Sequence, residues 1–298
     1  MELEGGVWSS EATNPLNDHF RVRLHHCSSD DYSGSRGASA ATGGLHFQGS
    51  NILTAVLQDL VATFGINRAE SLVLAGTGAG ARGVGHSCDY VAAAVAGVSN
   101  TTVRCVADGG DMVPWWVHSQ DCEAGGRRGV EARAALWGRQ GDRSCLEENQ
   151  ARHNSSELAQ RCGLWSRYWS QVSTPVLLLG SHKDLEYFNV APCVPREQAE
   201  DAVVYQLAWQ RGVVAVHEAV LAGGPEHSVF LTSCSVHGLL GGGERQGYFT
   251  DLQVCRKLVS LFAVCEETKY QQGRKGIILG HILWLQHLRP FEFITSRY

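Results

Sequence analysis

The stretch Gly76-Thr77-Gly78-Ala79-Gly80 is where residue types and spacing come closest to chemistry. It follows the short apolar run Ser71 to Ala75 and opens an Ala/Val-rich segment over 79–96. A strand, a Gly-x-?-x-Gly turn and a helix in that order have the layout of a nucleophile elbow. There a serine at the apex projects its hydroxyl above a sheet toward a carbonyl carbon. The apex residue of this chain is Gly78, which has no side chain to attack with. Two other readings of the turn stand beside this one. A glycine-rich bend without chemical use fits the spacing equally. A phosphate cradle fits poorly, because the third glycine of the dinucleotide fingerprint and the lysine of a P-loop are both missing.

The remaining reactive side chains are more ordinary when taken one by one. Thr77 carries a hydroxyl but stands one residue off the apex, so its side chain is expected to point elsewhere. Ser28, Ser29 and Asp30 read as a hydrogen-bonded turn. Cys234-x-x-His237 is half of a metal-site pattern without a second half, so no metal is expected. Asp184, a loop acid just after an apolar run, has the usual role of a helix cap or a solvated charge. The tryptophans at 115, 116, 165 and 169 read as packing residues, some of which could line a pocket.

The elements that must hold these residues alternate. Asn51–Phe64 has apolar residues at helical spacing and stops at Gly65. Thr102–Ala107 and Pro175–Gly180 are continuous apolar runs suited to buried parallel strands. Glu197–Gln210 reads as a helix, and 115–170 as helices with loops. Arg21–Cys27 alternates like a strand, Leu3–Gly6 looks like a strand end, and 33–44 reads as a long loop. Strands alternating with helices predict an α/β fold, a mostly parallel sheet flanked by helices. One domain over 1–265, with a cap-like region at about 111–170, and an irregular segment over 266–298 complete the expected organisation.

Composition narrows the classes. The chain has 298 residues, 44% apolar and 18% charged, enough for a full core and too apolar for disorder. A net charge of −5 offers no electrostatic grip on nucleic acid. The C-terminal apolar run Ile277–Leu285 is broken by Gly280 and His281 and falls short of the roughly 20 residues a membrane helix needs, so no membrane span is expected. The ten cysteines are widely spaced and contain no CxxC. With the sequons at Asn100 and Asn154 they read as bridges in a protein of the secretory pathway. Met1-Glu2-Leu3-Glu4 is no signal peptide. A chain truncated at its start would reconcile the two.

Several motifs, in order, resemble the pectin acetylesterase/Notum family of α/β-hydrolase-like carboxylesterases. They are Leu3-Glu4-Gly5-Gly6-Val7-Trp8, Asn14-Pro15, Cys27-Ser28-Ser29-Asp30-Asp31-Tyr32-Ser33-Gly34 and Leu45-His46-Phe47-Gln48-Gly49. Leu74 to Gly80, His86-Ser87-Cys88-Asp89 and Val106 to Gly110 continue the match. The resemblance implies an α/β-hydrolase-like fold lacking its N-terminal part. It also implies a Ser-Asp-His triad matching Gly78, Asp184 and His237, with oxyanion donors around Gly6 and Val7 and at Ala79. The family's substrates are acylated polysaccharide and lipidated protein, and no cofactor is implied. Three readings follow: an esterase impaired by its missing nucleophile, a non-catalytic binder of acylated ligands, or an active deacylase whose gene model is incomplete or erroneous.

Overall fold

A computed structural model describes residues 20–98, 100–109, 120–138, 141–163, 169–181, 184, 200–224, 226–232, 238 and 240. Residues 24–238 form one compact unit. Its centre is a parallel four-stranded sheet in sequential order, β1 (Ser71–Thr77), β2 (Thr102–Asp108), β3 (Val176–Ser181) and β4 (Ser228–Thr232). The register pairs Leu74 with Cys105 and Thr77 with Asp108, so the ends of β1 and β2 are level. The helices are α1 (Gly49–Ala62), α2 (Ala79–Ala96), α3 (Gln120–Trp137), α4 (Arg143–Asn149), α5 (Ser155–Cys162) and α6 (Glu200–Gly223). The α/β arrangement read from the sequence is therefore the one found.

One face of the sheet carries the main core. Ala81, Val84 and Cys88 of α2 and Trp209, Val213, Val216 and Val220 of α6 close over Cys105, Ala107, Val176 and Leu178. Both helices lie on this face because right-handed crossovers that always step the same way return on the same side. Each fully buried valine or leucine there is worth roughly 1.5–3 kcal/mol relative to exposure. A second cluster joins Leu53 and Leu57 of α1 to Val91 and Val95 of α2 and to Val103. The Cys88–Cys105 disulfide ties α2 to β2, and Cys145–Cys162 ties α4 to α5. At a sequence separation of 17, each bridge removes loop entropy worth roughly 3 kcal/mol. Cys27 is free and exposed.

Two expectations need correction. Residues 20–27 carry no strand. Their polar groups are used locally instead: Tyr32 donates its hydroxyl to the Leu24 carbonyl, and His26 Nε2 accepts from the Asp31 N–H. The helix expected over 197–210 runs as Glu200–Gly223. It passes through Gly212 because Trp209, Val213, Val216 and Val220 share one apolar stripe against the sheet. Leu3–Gly6, Trp115, Trp116, Trp165 and the boundary at 265 lie outside the described residues. Trp169 is buried, as a packing residue should be.

Carboxylates fasten the segment before β3 and the start of α4. Asp89 of α2 accepts from the backbone N–H groups of Ser173 and Thr174, just before β3. Asp142 caps α4 by accepting from the Cys145 N–H at 2.6 Å. Burial pushes the Asp142 carboxyl up to about 7; the Cys145 hydrogen bond opposes this, and Asp89 and Glu147 add to it. A carboxyl that holds its proton more tightly when folded than its ordinary 3.8 favours the folded state at acid pH. That contribution is lost as the pH rises toward and through 7. Asp142→Asn keeps a capping oxygen and removes the charge. Thermal unfolding should therefore show the variant more stable than the natural chain at pH 8, by up to about 4 kcal/mol, with the gap closing toward pH 5. A gap independent of pH would contradict this.

Candidate functional site

The site is built at the carboxyl edge of the sheet, where ligands of parallel α/β folds bind. Strand β1 ends at Thr77 and the chain reverses at Gly78 into α2. Gly78 has φ 58° and ψ −116°. A side chain in such a conformation costs on the order of 1–3 kcal/mol and persists in proteins chiefly at functional sites. The bend is held from both sides. The Gly78 N–H donates to the Asp108 carbonyl at 3.0 Å, and the Gly78 carbonyl accepts from the Arg82 N–H at 3.2 Å. The Gly109 N–H in turn donates to the Leu179 carbonyl, so the tips of β1, β2 and β3 are fastened in a row. Ala79 is the first residue of α2. Its N–H belongs to the first helical turn, whose donors lack intrahelical acceptors and carry the positive end of the helix dipole.

The two glycines flanking the apex differ in purpose. A Cβ at Gly76 would sit 2.3 Å from both the carbonyl carbon and the oxygen of Gly80, so strand and helix touch backbone to backbone there. A Cβ at Gly80 would meet nothing within 4 Å.

A second support comes from the loop 28–34. The Asp30 carboxylate is fully buried. It accepts from the Ser28 hydroxyl at 2.7 Å, the Tyr32 N–H at 3.2 Å and the N–H of Gly49, the first residue of α1, at 2.8 Å. Ser29, Asp31 and Tyr32 all adopt positive φ, at 50°, 51° and 58°. Three non-glycine residues in that region need outside support. Asp31 receives it from Arg82, whose Nε and Nη2 each lie 2.8 Å from its carboxylate oxygens. Tyr32 packs on Gly83, where a Cβ would come within 2.7 Å of the ring. The loop is thus pinned to α2 four and five residues beyond Gly78. His86, one turn further, is buried beside this pair. Burial lowers its imidazole to about 4, with Arg82 and Arg133 adding to the effect and Asp31 opposing it, so the ring is neutral at physiological pH.

The sequence-predicted site residues are distributed as follows. Gly78 and Ala79 form the bend itself. Asp184 is buried, three residues beyond the end of β3 and at the same edge of the sheet. Gly6, Val7 and His237 lie outside the described residues. Gly238 is described and buried, and a Cβ on it would lie 2.5 Å from Thr77 Cγ2 and 3.3 Å from Asp108 Oδ2. The Thr77 hydroxyl donates to Asp108 Oδ2 at 3.2 Å. Sequence reasoning gave no role to Asp108 or Arg82. The position of Asp108 at the carboxyl end of a strand, and of Arg82 one turn past the apex, were the available signals. Among the described residues no group of three or more His, Cys, Asp or Glu could hold a metal ion. No helix among them is long and apolar enough to cross a membrane.

Comparison with known proteins gives consistent matches. A family model described as pectinacetylesterase matches residues 2–251. Pectin acetylesterase 11 of Arabidopsis thaliana is 28% identical over 124 residues, 41% of this chain and 30% of the relative. Palmitoleoyl-protein carboxylesterase notum2 of Xenopus laevis is 25% identical over 272 residues, 87% of this chain and 52% of the relative. The chain therefore spans about half the length of the second relative and less of the first. The crystal structure of the Wnt deacylase Notum from Drosophila superposes with a TM-score of 0.65 at 23% identity, covering 80% of this chain and 66% of that one. This likeness gives the fold, α/β-hydrolase-like.

The glycine geometry makes a paired test. Gly76→Ala should destabilise the fold by more than 2 kcal/mol or abolish soluble expression, since backbone cannot yield 1 Å cheaply. Gly80→Ala should be neutral or gain up to about 1 kcal/mol from helix propensity. Chemical denaturation of the two variants reads the difference, and equal effects would contradict the bend described.

Proposed function

Because the chain belongs to the pectinacetylesterase family, we propose that it presents a carboxylic-ester-hydrolase site whose nucleophile is missing. The carrying observation is Gly78, seated at the apex in the conformation that aims an attacking serine, with only hydrogen to aim. In the active form of such a site a serine would add to the ester carbonyl as the neighbouring imidazole takes its proton. The acyl-enzyme would then be released by water. His237 is the base in this reading, and Asp184 holds its tautomer. The Ala79 N–H would stabilise the oxyanion. The burial of Asp184 at the sheet edge and the contact of Gly238 with Thr77 support this assignment. In the chain as it stands, His237 activates water in the space above Gly78 and turnover is slow.

The same vacancy suits retention of an acylated ligand without cleavage, a pseudoenzyme that binds rather than cuts. Acetylated polysaccharide and fatty-acylated protein are the two ligand classes, by analogy with the named relatives. Residues 111–170 are the region expected to cap the pocket and choose between them. Bridged cysteines and the two sequons support a glycosylated protein of the secretory pathway.

Hydrolysis of p-nitrophenyl acetate tests the reading. Gly78→Ser should raise kcat by on the order of 10³ or more, since losing a triad nucleophile typically costs about 10⁶. It should also lower stability by about 1–3 kcal/mol from backbone strain. In the natural chain, His237→Ala should remove the residual rate above background. A folded Gly78→Ser protein without gain in turnover would overturn the assignment of Asp184 and His237. Equal rates for the natural chain and His237→Ala would overturn the activated water.

A further inference from the structure

We propose that Thr77 and Asp108 form a seat for Gly238, and that this seat positions the proton-transfer histidine that precedes Gly238 in the sequence. The inference rests on the hydrolase reading above and adds two positioning residues to it. Thr77 and Asp108 are register partners at the level ends of β1 and β2, so their side chains leave the same face of the sheet. That face is opposite the one covered by α2, which receives Cys105 and Ala107. Asp108 is fully buried and accepts the Thr77 hydroxyl at 3.2 Å. This hydrogen bond fixes the threonine rotamer and turns Cγ2 toward Gly238.

Gly238 meets the seat at a distance no side chain could share. An added Cβ would lie 2.5 Å from Thr77 Cγ2 and 3.3 Å from Asp108 Oδ2. Its φ lies outside the left-handed range, so close approach and not backbone conformation demands a glycine there. Gly238 is therefore set against the tip of β1, one residue short of the apex at Gly78. A catalytic base must stay within hydrogen-bond reach of its partner, and a displacement of about 1 Å can cost 10²-fold in rate. Thr77 and Asp108 touch neither substrate nor the reacting atoms in this scheme; they act through Gly238.

The test is a rescue series in the full chain carrying Gly78→Ser, read as p-nitrophenyl acetate turnover. Adding Gly238→Ala should lower kcat roughly 10- to 100-fold with KM within about two-fold. Adding Thr77→Ser to that variant removes the colliding methyl, keeps the hydroxyl for Asp108, and should restore most of the loss. If Gly238→Ala fails to fold, Thr77→Val carries the test, because it keeps the methyl and removes the hydrogen bond; a kcat loss of similar size is expected. Unchanged kcat in Gly238→Ala, or in Thr77→Val, would overturn the seat and leave the hydrolase reading standing. A loss that Thr77→Ser does not relieve would also overturn it. A folded but inactive Gly78→Ser parent would overturn the hydrolase reading, and the positioning role with it, before any change at 238 is made.

Discussion

The bend from β1 into α2 governs everything around it. At Gly76 and Gly80 the strand and helix backbones are in contact, and at Gly78 the chain takes a positive φ that a side chain would strain. The bend places the N–H groups of the first turn of α2, which have no intrahelical acceptors, at the carboxyl edge of the sheet. It also fixes the direction of α2, which then buries Ala81, Val84, Cys88, Val91 and Val95 in two core clusters. A different turn would misdirect the helix and uncouple both.

Glycine at the apex changes the balance between stability and chemistry. A serine would have to be held in a sparsely populated conformation by the surrounding structure, as strained residues at working sites are. Gly78 has no such strain to offset, yet the clamps remain: the Asp108 and Arg82 backbone bonds, the Cys88–Cys105 bridge, and the Asp31–Arg82 pair that fastens the loop 28–34. The bend is thus more strongly supported than a glycine turn requires. On the hydrolase reading proposed above, these clamps are the frame of the site kept without its attacking atom.

Much of the frame was legible in the sequence. The helix over 79–96 and the strands near 71–75, 102–107 and 175–180 announce themselves because continuous apolar runs between glycine punctuation have few other uses. The bend was legible for the same reason. Arg21–Cys27 misled because alternation is only a local pattern, and its hydrogen bonds go to the loop 28–34. The second half of α6 was hidden by Gly212, whose cost is outweighed by the apolar stripe on either side. Asp108 and Arg82 were illegible as determinants because their roles depend on register and on partners dozens of residues away. The contact of Gly238 with Thr77 spans 161 positions, and no spacing rule reaches that far.

Intact-protein mass spectrometry after exposure to a fluorophosphonate probe examines the vacancy most directly. Such probes phosphonylate an activated serine and leave ordinary hydroxyls alone. The natural chain should gain no mass, while the Gly78→Ser protein should gain one probe adduct that maps to the peptide containing residue 78. A stoichiometric adduct on the natural chain would mean that another side chain supplies the attacking oxygen, and would contradict the account.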